Sequence, residues 1–546
     1  MRGVLFFGLL LLSAPALART ATAQDDLDNP QTLRVTQPGR GPQIPFDEGR
    51  WEFWWYFNRD RFIGLRRAQQ SLAAQNPDVD EPFRAVTEKD REDSLLPKLV
   101  QLLRDSDPQV RVATIQALAK TRDPDARIWL FNGLHDKDHE VRIQAIAALG
   151  VWGNTVSLPR LEEVLKDDNR DLQERMFAAV AVGLIGGPLA AESMKHFLNP
   201  KSFADAAPMV QAGLAYGVGL TADVENAPLI RALLDDRSVE DHVVRSYLLL
   251  SLGKCGEPSD LERLERSLKS SETQHRRSAA IALGVLLDGA GNDAAVAALA
   301  NAAQGDADLM VKNFAYLSIG RIGGDQASAQ LRTDFGRMTR ANTPFIALAL
   351  GILGDPENVP ELQNAFESSS DTSYRGAIAL ALGLHRDGRA APGLRKAFED
   401  TGEPVLRGHL AVALGLIGDV ESIEMLEGAF EGATDVELIP NLATALGLLG
   451  SQTAAKAITA RVTREKNEFV KQSLLFGLGL VGDRAAIDPL VEAASRNGEV
   501  AYVRGYAATA LGLIAEPHQV RAISRASQDS NYTIVSNFLN EIFSIL

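Results

Sequence analysis

Residues 138–153 read Asp-His-Glu-Val-Arg-Ile-Gln-Ala-Ile-Ala-Ala-Leu-Gly-Val-Trp-Gly. Asp138 stands where a carboxylate can cap the free N–H groups at a helix start. Arg142 follows four residues later, one turn along the same face. Aliphatic residues then recur at helical spacing, and Gly153 suits the left-handed residue that ends a helix. The stretch therefore predicts one capped helix.

The same pattern recurs along the chain at a regular interval, which is typical of helical repeat proteins. The residue that recurs most regularly is the one at the position of Gly150. Here this position is called the anchor. The residue before each anchor is aliphatic and the residue two before it is small, which lets two helix backbones approach closely. A second, shorter amphipathic helix precedes each acid, as at Leu95–Leu103. The anchors are Ala119, Gly150, Gly183, Gly219, Gly253, Gly284, Gly320, Gly351, Gly383, Gly415, Gly447, Gly479 and Gly512. The sequence thus predicts an all-α solenoid of about thirteen helix pairs over residues 93–525.

A basic residue stands eight positions before most anchors, and an acid usually stands four positions before that base. The arginines of this ladder are Arg111, Arg142, Arg175, Arg245, Arg276, Arg375, Arg407 and Arg504, and Lys312 and Lys471 join them. Because the acids track the bases, we interpret the ladder as structural, with each arginine paired to acids and carbonyls between repeats. An anion-binding stripe is the alternative.

The pattern Asp-x-x-Val-Arg-x-x-Ala-x-x-Ala-Leu-Gly-x-x-Gly resembles the short HEAT-like repeat named after the phycocyanobilin lyases. Residues 138–153 and 107–118 match it closely, and looser copies cover about four fifths of the chain. The resemblance implies an α-solenoid, a superhelix whose concave face is lined by the second helices. At roughly 8–10 Å per packed layer, an open array would be on the order of 100–130 Å long.

The resemblance also implies two enzyme precedents, the bilin lyases and deoxyhypusine hydroxylase, which binds two irons through His-Glu pairs. The positions matching those pairs carry no histidine; they include Val112, Ile143, Ala212, Arg277, Gly376 and Gly505. His135 and His139 lie close in sequence, but solvated turn residues are the common outcome. No nucleophile, phosphate-binding or dinucleotide motif is present. We therefore predict no catalytic, cofactor or metal site and no enzymatic activity. An enzyme or enzyme subunit with an unrecognised site is the alternative.

The net charge of the chain indicates the class of its partner, and the first residues indicate where the protein is located. The chain has 71 Asp and Glu against 56 Lys and Arg, a net charge of −15, which argues against nucleic acid. Residues 1–23 read as a signal peptide, with Arg2, an apolar stretch over 4–12 and the cleavage pattern Ala21-Thr22-Ala23. Residues 16–18 form a second possible site. We expect a periplasmic or secreted protein without a membrane span after cleavage, where cytoplasmic bilin-lyase substrates are not present.

The segment before the repeats is unusually aromatic. Residues 24–50 are rich in Pro and Gly and predict a flexible arm. Residues 51–92 follow, and Trp51, Trp54 and Trp55 share one helical face next to Tyr56. This segment reads either as a cap on the first repeat or as a docking element. Residues 526–546 predict a C-terminal capping helix with Ile534, Phe538, Leu539, Ile542 and Phe543 on one face.

An aromatic or histidine side chain stands six residues before six of the anchors: Phe177, Tyr247, Phe314, Phe345, His409 and Tyr506. This stripe reads either as core between repeats or as the lining of a concave peptide groove. We therefore expect a scaffold that binds one or more proteins through its concave face, its Trp-rich segment or both. Binding of an extracellular glycan or polymer, with Trp51, Trp54 and Trp55 as stacking platforms, is a further alternative.

Overall fold

The computed structural model of the chain describes residues 49–75, 84–337, 341–451, 453–496, 498–517 and 522–534. The predicted signal peptide at 1–23 and the arm up to residue 48 lie outside these residues. So do Phe538, Leu539, Ile542 and Phe543 of the predicted C-terminal cap.

The described residues form thirteen helix pairs and no strand, so the prediction of an all-α solenoid is confirmed. The first helices of the pairs are α4 (Leu96–Leu102), α6 (Ala126–Gly133), α8 (Leu158–Lys166), α10 (Gly187–Leu198), α13 (Ala227–Asp235), α15 (Leu261–Ser267), α17 (Asp293–Gly305), α19 (Asp325–Phe335), α21 (Val359–Ser368), α23 (Ala391–Asp400), α25 (Ile423–Gly432), α27 (Ala454–Arg464) and α29 (Ile487–Ser495).

Each second helix ends at or shortly after its anchor. The second helices are α5 (Pro108–Thr121), α7 (His139–Trp152), α9 (Leu172–Ile185), α12 (Pro208–Thr221), α14 (His242–Cys255), α16 (Thr273–Leu286), α18 (Leu309–Ile322), α20 (Thr343–Leu353), α22 (Thr372–His385), α24 (Pro404–Ile417), α26 (Leu438–Leu449), α28 (Glu468–Val481) and α30 (Ala501–Ala515). We number the repeats one to thirteen after these pairs.

Five further helices of the described ranges lie outside the pairs: α1 (Trp51–Ile63), α2 (Leu65–Gln75), α3 (Glu88–Asp90), α11 (Pro200–Ala204) and α31 (Ala522–Ser527). A π-helical turn, Arg91–Leu95, leads into α4, and 3-10 turns such as Thr155–Ser157 precede several first helices.

The two helices of a repeat are buried to different extents. The first helices bury one face only, as α8 does with Leu158, Leu161, Val164 and Leu165. The second helices are buried almost all round, and in α7 every residue from Ile143 to Trp152 is buried. Such a helix has apolar or small residues on every side because neighbouring elements cover all of them. The second helices therefore form an inner layer and the first helices an outer layer.

Neighbouring second helices meet at the anchor. A Cβ atom built on Gly150 would lie 2.6 Å from Ala181 Cα, and one built on Gly351 would lie 2.7 Å from Ala381 Cα. In these joints the anchor of one repeat faces the small residue two before the anchor of the next, whereas the Gly447 anchor faces the Leu480 carbonyl and two residues of α2, Leu65 and Gln69. The two sequence columns of small residues are therefore the two sides of one contact.

The array closes into a ring. The last second helix, α30, packs against the first, α5, and a Cβ built on Gly512 would lie 2.7 Å from Ala117 Cα. Ala117 is the small residue two before the first anchor, so this joint has the same geometry as those inside the array. Arg504 of α30 also pairs with Asp105, as Arg111 pairs with Asp136 one repeat on. The expectation of a long open array is therefore wrong, because the turn between successive repeats brings the ends together.

Helix ends follow the sequence columns closely. The Asp138 carboxylate accepts from the backbone N–H groups of Glu140 and Val141, and Gly153 ends α7 in the left-handed region at φ 71°. Arg122, Ala222 and Arg386 adopt the same left-handed conformation without being glycine. An L-residue with a Cβ is disfavoured there.

We expect Ala222→Gly to stabilise the protein by about 1 kcal/mol, because glycine adopts the φ of +50° at this exposed helix end without a steric penalty. The matched control is Ala232→Gly, at an exposed position inside α13, which should destabilise the protein by about 1 kcal/mol. Urea unfolding followed by circular dichroism measures both changes. Shifts of the same sign in the two variants would contradict the expectation.

Candidate functional site

The candidate site is the inner face of the ring, formed by the second helices on the side away from the first helices. The residues that face inward stand ten, seven, six and three positions before each anchor and one position after it, which is one face of a helix. In the structure this face is filled. It holds α1 and α2 along one arc and residues 522–534 along another.

The N-terminal end of α1 lies against α22 and α24. The Trp51 indole Nε1 donates to Ser373 Oγ at 2.9 Å, and Ser373 Oγ donates to the Glu52 carboxylate at 2.8 Å. The centre of the indole lies 4.8 Å from that of the His409 imidazole. Gly376 leaves room beside it, because a Cβ there would be 3.3 Å from Trp51 Cζ2. These groups form a recess around the indole, which is 2% exposed.

His409 is enclosed in this recess. Burial lowers the pKa of His409 to about 4, so the imidazole is neutral over most of the pH range in which proteins are stable. A neutral imidazole beside an indole makes an apolar contact without a buried charge. The recess is therefore suited to an aromatic side chain.

The middle of α1 packs on an aromatic cluster that also includes the C-terminal segment. Phe57 stacks on Tyr532 at 5.4 Å between ring centres, and Phe314 of α18 meets Tyr532 edge-on at 5.6 Å. On another side of the helix, the ring centres of Trp54 and Trp55 lie 6.0 and 6.2 Å from that of Phe62. The last two contacts lie within α1, whereas Trp51, Phe53 and Phe57 hold the helix against the ring and the C-terminal segment.

Residues 522–534 cross the inner face from the third repeat to the seventh. Arg525 donates to the Leu184 carbonyl, and the Tyr216 hydroxyl donates to the Ala526 carbonyl. Farther along, Asn531 donates to Gln274 at 3.0 Å and to Ser278 at 3.1 Å, and Arg277 donates to Thr533 Oγ1 at 2.7 Å. These contacts are specific polar bonds to successive second helices, so the segment has a defined register.

A cluster of charges joins α1, the C-terminal segment and the ring. Arg321 pairs with Asp529 at 2.5 Å and with Asp288 at 2.9 Å, and Arg61 of α1 pairs with the same two acids at 3.5 and 3.2 Å. Burial raises the pKa of Asp529, but the charges of Arg321, Arg61 and Lys254 outweigh it, and the pKa stays below its ordinary value. The Asp529 N–H also donates to Asn58 Oδ1 at 3.0 Å.

The helix α2 covers the eleventh and twelfth repeats. Gln69, which is 1% exposed, donates to the carbonyls of Leu480 and Val481 at 2.8 and 2.7 Å. These carbonyls belong to the last turn of α28, where backbone oxygens have no partner within the helix. The side chain of Gln69 therefore completes that helix end from inside the ring.

The structure places the proposed partner-binding residues inside the molecule. Trp51, Trp54 and Trp55 are 2%, 9% and 3% exposed, and Tyr56 is half-buried. In the aromatic stripe, Phe314 and His409 contact the C-terminal segment and α1, whereas Tyr247 packs on Tyr216 of the neighbouring helix. Phe177, Phe345 and Tyr506 are buried as well. Their role in binding a partner stays a prediction.

The Trp segment does not lie over the first repeat as a cap would, and its role as a docking element stays a prediction. Trp51 lies against the ninth and tenth repeats, and Phe53 and Phe57 of the same helix contact Tyr532 of the C-terminal segment, so α1 does not lie over the end of the first repeat. Stacking of a glycan on Trp51, Trp54 and Trp55 would require that they leave these contacts. The concave face and the Trp segment, which sequence reasoning treated as separate candidates, contact each other.

The arginine ladder lies at the junctions between repeats. Arg142 donates to Glu174 of the next repeat at 2.9 Å and to the Asp136 carbonyl at 3.0 Å, and Arg276 pairs with Asp306 at 2.8 Å. Arg175 and Arg245 donate to the carbonyls of Leu165 and Leu234. Arg375 and Arg407 lie over the rings of Phe366 and Phe398 at 4.6 and 4.5 Å.

Several residues of the filled inner face carried no motif that sequence reasoning could use. Ser373, Gly376 and Gln69 are ordinary residues of a helical repeat, and Asp529 stands in a polar stretch. One signal was present, since His409 departs from the aromatic and small residues common at its column, whereas Gly376 shares its column with Gly408 and Gly505. Ser278 and Asn441, which are also polar at the column of His409, show why this signal was weak.

Within the described ranges, no three His, Cys, Asp or Glu side chains converge closely enough to hold a metal ion. His139 instead lies 3.5 Å from the Glu174 carboxylate, which Arg142 and Arg170 also contact. No described helix is both long and apolar enough to cross a membrane.

One sequence family and two solved structures are similar to parts of the chain. The sequence model described as HEAT repeats matches residues 96–181. Human deoxyhypusine hydroxylase in complex with glycerol is 22% identical, with 48% of this chain and 96% of that one covered at a TM-score of 0.23. The complex of CpcE and CpcF of phycocyanin lyase from Nostoc sp. PCC7120 is 21% identical, with 47% and 96% covered at a TM-score of 0.31.

At these TM-scores the two solved structures carry no argument about activity, and none of the curated proteins matches the sequence. The family match covers α4 to α9 and includes the close copies of the repeat at 107–118 and 138–153. The same helix pair, anchor contact and capping pattern continue around the ring. Residues 96–181 therefore match HEAT repeats, and the described part of the chain forms an all-α ring of thirteen helix pairs.

Proposed function

We propose that the protein is an exported scaffold that binds segments of other proteins on the inner face of its ring. The observation that supports this is the way the inner face holds α1 and residues 522–534. It holds one segment as a helix and the other largely as irregular chain, through side-chain hydrogen bonds, aromatic contacts and ion pairs. A surface that binds two segments of different conformation in this way has the chemistry of a peptide-recognition surface.

Export enters the proposal through the signal peptide predicted at residues 1–23. The bait for the test is the mature chain isolated from the exported fraction, whose first residue we expect to be Gln24 or Arg19. We propose no catalytic activity, because the sequence carries no nucleophile, phosphate-binding or dinucleotide motif.

The test is crosslinking capture from the exported fraction, followed by calorimetry with the purified captured protein. We compare the mature chain with a variant in which Trp51, Trp54 and Trp55 are changed to Ala, after circular dichroism shows that the variant keeps its helix content. We expect one discrete partner, bound at least about tenfold more tightly by the variant, because its inner face is partly released. Val420→Ala, at an outer turn that is 65% exposed, is the matched control and should leave the affinity unchanged.

Two results would overturn the proposal. One is the absence of a stoichiometric partner for both the mature chain and the tryptophan variant. The other is equal binding by both, with crosslinks confined to the first helices, which would assign recognition to the outer surface.

A further inference from the structure

The recess around Trp51 is built for one side chain. Ser373 Oγ accepts from the indole N–H at 2.9 Å, the His409 ring packs on the indole, and Gly376 supplies the space that a larger residue would fill. At the column of Gly376, the first two repeats carry Val112 and Ile143. Glycine also stands at this column as Gly408 and Gly505, but a Cβ there would lie near Asn441 and near Ala113 rather than near an indole. At Gly376 the clearance adjoins the Ser373 hydroxyl and the His409 ring, and together they match the shape and the single donor of an indole.

The far end of the same helix is recognised by charge. Arg61 lies between Asp288 and Asp529, two carboxylates of the inner region. At the near end, Glu52 accepts from Ser373 Oγ. An acid in the first turn and a base in the last turn also suit the dipole of the helix that carries them. The groove thus binds an aromatic helix in a defined direction, because it recognises the two ends of that helix by different groups.

The helix that fills this groove is joined to the ring at a distant point. Along the chain, α1 is followed by α2, by residues 84–90 and then by the first repeat, whereas its contacts are with the ninth and tenth repeats and with Asp529. Gly64, at φ 57°, ends α1 as a separate helix. In this sense α1 is a tethered ligand of the inner face.

We propose that the inner face between α22 and α24 is a docking groove for an aromatic helix of a partner protein, and that α1 is the intramolecular ligand which that helix replaces. This inference rests on the proposed function and names its partner class. The partner helix carries an indole followed by an acid in its first turn, further aromatic residues in the middle and an arginine in its last turn. Those are the features by which the groove holds α1.

Tethering sets the conditions for exchange. A tethered segment has an effective concentration of about 1 mM, so a free helix of equal affinity at about 10 µM would replace only about 1% of α1. Truncating a buried tryptophan that anchors an interface weakens binding by about 100-fold. With Trp51→Ala in the chain, the same free helix should therefore occupy about half of the grooves.

The experiment measures this exchange directly. A synthetic peptide of residues 49–64 with a fluorophore at its C-terminus is added at about 10 µM to the mature chain, and its anisotropy is recorded. We expect about 1% occupancy with the unchanged chain and about 50% with the Trp51→Ala chain. A peptide with its own Trp51 changed to Ala should bind neither. Trp51→Phe is the milder variant should Trp51→Ala lose helix content, and we expect an occupancy between those of the other two chains with it.

The matched control blocks the recess. In the double variant Trp51→Ala, Gly376→Val, the new Cβ would lie 2.7 Å from His409 Nδ1 and 3.3 Å from the former position of Trp51 Cζ2, so valine and the displaced His409 ring together occupy the space of the missing indole. Valine is also the residue at the corresponding position Val112. Peptide binding should return to the level of the unchanged chain. Two results would overturn the proposal: no binding to a folded Trp51→Ala or Trp51→Phe chain, or equal binding with and without Gly376→Val. The peptide experiment contains no partner protein. A failure there therefore overturns the docking groove alone, and the capture experiment still decides the proposed function.

Discussion

Gly183→Ala is expected to destabilise the protein by about 3 kcal/mol or more. A Cβ at this position would lie 2.1 Å from the Gly217 carbonyl oxygen and 2.8 Å from its Cα, so the methyl group would overlap backbone atoms on the neighbouring helix. Backbone cannot rotate away as a side chain can, and α9 and α12 would have to separate. Overpacking in a dense core usually costs about 1–3 kcal/mol, and a clash with backbone lies at the upper end or above.

The matched control for this change is Gly428→Ala in α25. Gly428 is exposed, lies inside a helix, and no other residue would lie within 4 Å of the added Cβ. We expect a gain of about 0.5–1 kcal/mol there, because alanine favours the helix over glycine. Urea unfolding followed by circular dichroism compares the two variants. A loss of under about 1 kcal/mol for Gly183→Ala would contradict the close approach of the two helices.

Asp529→Asn is expected to destabilise the protein by about 3–5 kcal/mol. The substitution keeps the size of the side chain and tolerates the left-handed backbone of Asp529, at φ 58°. It removes the negative charge that compensates Arg321, Arg61 and Lys254. Loss of one partner from a buried group of charges leaves the others uncompensated, which is the costly case. Asp235→Asn is the control, because the exposed pair with Arg263 contributes at most about 1 kcal/mol.

The effect of Asp529→Asn should also depend on pH in a defined direction. The folded-state pKa of Asp529 lies below its ordinary value of 3.8, so its ionised form stabilises the folded state. That contribution is fully present above the unfolded pKa and is lost as pH falls through the folded pKa. The difference in unfolding free energy between the original chain and the variant should be constant near neutral pH and should shrink only below about pH 4. A difference that shrinks on raising the pH above about 6 would assign the effect to another group.

Much of the fold could be predicted because the residues that define each helix pair lie within the repeat itself. Asp138 and Gly153 mark the ends of α7, and the small residue before each anchor marks where the next helix touches. These signals act within one repeat or between neighbours, so a pattern as short as a single repeat carries them. They are enough to predict helix pairs, their order and the inner and outer layers.

Ring closure could not be predicted in the same way because it depends on an accumulated angle. Thirteen repeats close when the average turn is about 28° per repeat, and a difference of a few degrees leaves an open superhelix. No single column encodes so small an angle. One clue was available, since Ala117 and Gly512 stay small at the two ends, where a capped array would carry polar residues.

The filling of the inner face depended on contacts between distant parts of the sequence. Trp51 meets Ser373 and Arg61 meets Asp529, and the two partners in each contact are separated by more than half of the chain. His409 and the three tryptophans are unusual in the sequence, but a single sequence does not show which of these residues contact one another. The roles of Gly376 and Ser373 are evident only in the structure, where the Trp51 indole lies next to both residues.

The placement of α1 also fixes an order of events during synthesis. Its aromatic residues leave the ribosome before any repeat, yet the residues that cover them extend to Ser373 and His409 for Trp51 and to Tyr532 for Phe57. Until those residues have been made and folded, the aromatic face of α1 stays in water. The helix α1 is therefore synthesised first and buried last, and its burial requires that the whole chain has been synthesised.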